Sequence, residues 1–193
     1  MTLNLTAELE RLIADLAAAL PVYQHIDPAR LLVCVSSTRS GGIGGTYAKI
    51  HPLRFPGGSR TDIIRRGRRR LTVEMPAVTN RGNDILYLIY FLVPRFLDLP
   101  LREKLVTVCH ELYHISTAFD GDLRRFPGRN YAHGSSRKKY NELVAGIVDE
   151  YLGLKGETNL PRFCSATMAE LRRDCRTIVA RRMPAPRLRV IRP

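Results

Sequence analysis

The sequence predicts an α+β fold in which a small antiparallel or mixed sheet of about four strands packs on a central helix, with further helices around it. Three observations predict it. The first half holds short apolar runs bounded by Gly- and Pro-containing turns, and the second half holds apolar stripes at helical spacing. Hydrophobic residues make up 45% of the 193, enough for a real core. The length suits one domain with a tail, and we divide it into a domain at 1–160 and a basic C-terminal helix and tail at 161–193.

The elements follow in order. Leu5, Leu9, Leu12, Leu16 and Leu20 mark one face of a helix stopped by Pro21. Leu31–Val35 reads as a buried strand, and Ser40–Gly45 as a glycine-rich turn without the G-x-x-x-x-G-K-[ST] phosphate pattern. Tyr47–Phe55, Leu71–Met75 and Ile85–Val93 read as further strands, the last two joined by hairpin chemistry at Thr79–Asp84. Leu101, Leu105, Val108, Leu112, Ile115 and Phe119 predict a central helix over 101–119, starting after Pro100. A polar loop at 120–134 leads to a second helix, 137–152, with Tyr140, Leu143, Val144, Ile147 and Tyr151 on one face. A third helix is predicted over 166–182, and an extended or disordered tail from Pro184.

Net charge is +13, and it is concentrated. Residues 60–70 carry Arg60, Arg65, Arg66, Arg68, Arg69 and Arg70 against Asp62. Residues 172–193 carry Arg172, Arg173, Arg176, Arg181, Arg182, Arg187, Arg189 and Arg192 against Asp174. Such clustering suits a polyanion such as nucleic acid, through non-specific contacts, or simply a solvated basic surface. Met1–Leu5 has no signal-peptide pattern, and Cys34, Cys109, Cys164 and Cys175 form no C-x-x-C pair, so reduced thiols in a cytoplasmic protein are expected. The longest apolar run, 85–93, is about half the ~20 residues of a membrane-spanning helix, so no membrane partner is expected.

The chemistry is concentrated at His110-Glu111-Leu112-Tyr113-His114. Residues four apart lie one turn above each other on a helix, so both imidazoles can reach a single Zn²⁺. Glu111, one position round, is placed to act as general base toward a water that the metal acidifies. The apolar stripe packs one side of this helix, while Glu103, Thr107, His110 and His114 fall on the other. A catalytic zinc takes a third protein ligand and keeps a position open. His133, beyond the loop, is the candidate; Glu142 is the rival, then Asp120 and Asp122, while His25 and His51 read as ordinary surface or strand residues. Tyr131 and Arg129 are candidate oxyanion donors, and Asp149 a candidate partner for a zinc histidine.

H-E-L-Y-H at 110–114, then a charged loop and His133-Gly134 before a helix, resembles the SprT-like zinc metallopeptidases and similar phage- and bacteria-type proteins. The resemblance covers about 101–140. It implies a zincin-like fold, with zinc held by His110, His114 and His133, Glu111 as catalytic base, and an edge strand that pairs with an extended peptide substrate. One branch of the family cleaves proteins crosslinked to DNA, a theme with which the arginine clusters are compatible. The chain departs from some members in lacking a C-terminal zinc ribbon, since Cys164 and Cys175 stand without C-x-x-C. The expected function is a zinc-dependent peptidase acting on protein or peptide, with one zinc. The alternatives are a basic nucleic-acid-binding domain with a non-catalytic metal site, or another zinc amidohydrolase. A deformylase-like amidase takes a ligand cysteine from a glycine-rich segment, and the residues after Cys34, Val35 and Ser36, do not match that pattern.

Overall fold

The structure is a computed structural model that describes residues 1–38, 45–126 and 136–192. The chain runs β1 (Thr2–Asn4), α1 (Leu5–Ala19), β2 (Leu31–Ser37), β3 (Ala48–Pro52), β4 (Thr61–Arg66), β5 (Arg69–Glu74), β6 (Thr79–Asn80), β7 (Asn83–Asp84) and β8 (Tyr87–Val93). It continues through α2 (Leu101–Tyr113), α3 (Arg137–Lys155), α4 (Arg162–Ser165), α5 (Met168–Asp174), β9 (Thr177–Val179) and β10 (Arg189–Arg192). The class is α+β. The strands do not form one sheet of about four, however; among the described residues they form small separate sheets.

The sheet that matters for the site has the order β2-β8-β3, with β2 parallel and β3 antiparallel to β8. β8 lies in the middle and both its faces are covered, which explains its unbroken apolar run. Val33, Val35, Ile89 and Phe91 face α1 and α2 in the main core. Leu32, Cys34, Leu88 and Tyr90 face the other way, against Leu53, Ile85 and Met75. The expected hairpin between 71–75 and 85–93 does not occur. β5 pairs with β4 instead, and Thr79–Asp84 folds into its own hairpin with strands of two residues. Arg81 and Gly82, both at positive φ, make that turn.

In α1 the leucine stripe is buried as expected, and the Asn4 side chain caps the helix by accepting from the Ala7 amide at 3.1 Å. α2 buries Leu105, Val108 and Leu112 fully. It stops at Tyr113 rather than 119. Ile115 and Phe119 still meet the core, but as parts of a turn: Ile115 bridges Leu123, and Phe119, at φ 49°, packs on Tyr87. Gly121 makes the turn possible. It sits at φ 89°, and a Cβ there would lie 2.4 Å from the Arg54 side chain.

Lys104 is buried within α2 and donates to the carbonyls of Phe163, Cys164 and Ala166 at 2.8, 3.2 and 2.7 Å, which ties α4 to α2. On α3 the buried positions are Tyr140, Val144, Ile147, Val148 and Tyr151, while Leu143 is exposed. The expected helix over 166–182 is shorter. α5, with a Thr167–Glu170 capping box, ends at Asp174, and β9 then pairs parallel with β1. The tail from Pro184 ends in β10, which pairs with β5. All four cysteines are free and buried. No helix among the described residues is long and apolar enough to cross a membrane.

Candidate metal centre

His110 lies in the last turn of α2, and His114 is its C-cap, still with helical φ and ψ. The one-turn offset brings the two Nε2 atoms to 3.0 Å from each other, with the rings edge to face at 79°. Two imidazole nitrogens bound tetrahedrally to one zinc lie about 3.4 Å apart, given bonds of ~2.0–2.1 Å. The pair therefore fits a shared ion with only a small opening of the rings. The main chain holds His114 firmly, since its carbonyl accepts from the Arg124 amide at 2.7 Å and its own amide reaches back to Glu111 and Leu112.

Tyr140 of α3 forms the wall behind both histidines. Its ring stacks on His114 at 5.7 Å, meets His110 edge-on at 5.0 Å, and its hydroxyl donates to the His110 carbonyl at 3.3 Å. Burial raises the pKa of this phenol, with nearby Glu111 adding to the effect, so it remains a neutral donor. Sequence reasoning took Tyr140 for an ordinary core residue. The available signal was its place in the first turn of the helix that follows His133-Gly134.

Glu111 is buried, and burial pushes its carboxyl up to about 7, while a backbone hydrogen bond from Ile50 pulls the other way. That contact explains where the carboxylate sits. On either side of β3, Tyr47 and Leu53 bond to Leu92 and Leu86 at 2.8 and 2.9 Å. By antiparallel alternation, the amides and carbonyls of Ala48 and Ile50 point away from β8, toward α2. Glu111 therefore lies against the edge of β3 that no other strand covers among the described residues. Between this edge and α2 is a groove of about 300 Å³ lined by Thr46, Tyr47, Ala48, Val106, His110 and Glu111. The strand directly before α2, β8, is central; the edge beside the site belongs to β3.

The other expected residues fall as follows. His133, Tyr131 and Arg129 lie outside the described residues. Glu142 is solvent-exposed, 3.9 Å from Lys138, and is not brought to the histidines. Asp122 forms a two-pronged pair with Arg125 at 3.1 Å, and Asp120 accepts from the Asp122 amide at 3.1 Å. Asp149 is exposed and bonded to Arg102 at 2.6 Å, away from any histidine. Tyr113 packs against Phe126 and Tyr140, with the Arg124 guanidinium 4.0 Å above its ring. Among the described residues, no third His, Cys, Asp or Glu joins His110 and His114. Comparison of the chain with protein-family models, curated proteins and solved structures gives no match.

Proposed function

We propose that this chain is a zinc-dependent peptidase in which Glu111 is the general base. The observation that carries the reading is the convergence of the His110 and His114 Nε2 atoms, 3.0 Å apart, beside a buried glutamate at an open strand edge. In this reading His110, His114 and His133 hold the zinc. A zinc ion bound there acidifies water and polarises a carbonyl.

The chain's own residues supply the rest. The outward-facing backbone of Ala48 and the outward carbonyl of Ile50 accept an extended peptide as an added strand, the Ile50 amide being held by Glu111, so main-chain hydrogen bonds hold the substrate without reading its side chains. The groove then sets one peptide unit beside His110 and Glu111. Glu111 takes a proton from water and returns it to the leaving amine nitrogen, and its burial favours holding that proton between the two transfers. Tyr140 fixes the imidazole planes.

The test is Glu111→Gln, with zinc measured by elemental analysis and turnover measured on unfolded casein. The expected result is one zinc per chain in both proteins and a fall in turnover of at least ~10²-fold in the variant. Wild-type turnover in the glutamine variant removes the general-base assignment, and a zinc-loaded wild type with no turnover removes the peptidase reading.

A further inference from the structure

We infer that the sheet β10-β5-β4 is a docking surface for the phosphate backbone of duplex DNA. The fold joins two arginine clusters that are remote in sequence. β10, from the basic tail, runs antiparallel to β5 and so joins the hairpin that carries Arg65, Arg66, Arg68, Arg69 and Arg70; Arg189 itself stands opposite Glu74, at the end of β5 away from the turn.

Eight arginines elsewhere in the molecule hold carboxylates, and the hairpin arginines do not. Arg11, Arg30, Arg54, Arg102, Arg125, Arg162, Arg173 and Arg181 each pair with a carboxylate. Arg65, Arg66, Arg68, Arg69 and Arg70 are exposed, and none has an ion pair among the described residues. They also oppose each other. The register sets Arg65 across from Arg70 and Arg66 across from Arg69, around a tight turn with Gly67 at φ 62°. Like charges directly opposite destabilise a ladder. The hairpin thus carries a repulsion that a polyanion would relieve.

The surroundings select among polyanions. No aromatic residue occurs in 60–74 or 184–192, so there is no platform on which unpaired bases could stack. Beyond β10 the tip of β4 and β5 is a two-stranded ribbon, which the major groove of B-form DNA admits and the deep, narrow major groove of A-form RNA excludes. Ile63, Val190 and Ile191 are exposed on the same sheet, and Ile64 and Leu71 adjoin Arg65 and Arg70, so an anionic bilayer is the competing partner that the test separates from duplex DNA. None of these residues lines the groove at His110 and Glu111, so the surface stands independently of the peptidase reading.

The test uses the full chain and fluorescence anisotropy with labelled duplex DNA, the matching single strand, duplex RNA and phosphatidylserine vesicles, over a range of salt. Five phosphate contacts predict that log K falls against log salt with a slope of about −4 to −5 on duplex DNA. The variant R65Q/R66Q/R69Q/R70Q is expected to lose at least ~10-fold in affinity and most of that slope. Its melting temperature should equal or exceed wild type, because the opposed charges are gone. The corresponding quadruple lysine variant should keep the slope. Unchanged duplex binding by the glutamine variant overturns the inference. So does tighter binding of single strands, RNA or vesicles than of duplex DNA, or a loss of binding in a lysine variant that melts like wild type.

Discussion

Glu111 and Tyr140 each depend on burial for a different end. For Glu111 burial sets the proton affinity, and for Tyr140 it keeps a neutral ring pressed against two imidazoles. Tyr140→Ala is therefore expected to weaken zinc retention by about tenfold in a chelator competition, as loss of a group that orients ligands does. Tyr140→Phe keeps both ring contacts and loses only the 3.3 Å hydroxyl bond to the His110 carbonyl, so it should stay within a few-fold of wild type. His110→Ala should lose zinc outright. At this scale the sequence was informative where the chemistry was local. H-E-x-x-H needs nothing beyond one helical turn, and the paired Nε2 atoms follow from its spacing. Tyr140 was illegible as a site residue because its spacing from Val144 is that of any core stripe.

Helices α1 and α3 are joined by Asp15, which accepts from the Tyr151 hydroxyl at 2.6 Å and the Lys155 ammonium at 2.7 Å. Partial burial raises the pKa of this carboxyl, but the bonds from Lys155 and Tyr151 outweigh it and the net direction is down. A carboxylate with a depressed folded-state pKa contributes stability above its unfolded value, near 3.9, and loses that contribution as pH falls through the folded one. Asp15→Asn should cost about 0.5–1 kcal/mol at neutral pH, a figure kept low because the pair is partly solvated. The difference from wild type in urea unfolding should shrink as pH drops below about 4. Elements with a long periodic signature were readable, while those defined by a distant partner were not. β9 and β10 are three and four residues long and exist through pairing with β1 and β5. The end of α2 escaped for a related reason: Ile115 and Phe119 keep the apolar spacing but reach the core through a turn that depends on Gly121.

Across the whole molecule, the C-terminal segment does two separable jobs. The Arg181 carbonyl accepts from the Val35 amide at 2.8 Å, its amide donates to the Thr6 hydroxyl at 2.8 Å, and its guanidinium reaches the Val33 carbonyl at 3.0 Å and Glu10. Truncation after Cys175 should therefore destabilise the fold by about 2–5 kcal/mol in thermal or urea unfolding, since several partly buried hydrogen bonds go together. Truncation after Pro186 removes β10 and should leave the melting temperature within a few degrees. The net charge of +13 was legible as two clusters, but their union on one sheet was not, because it rests on a pairing across more than a hundred residues. The position of β8 between β2 and β3 also sets a time order. Its amides are bonded on both sides and should be among the last to exchange with deuterated solvent, while the outward amide of Ala48 on β3 has no partner strand among the described residues and should exchange early. Capture of a peptide along β3 would then register as slowed exchange at Ala48 even in a protein unable to cut it.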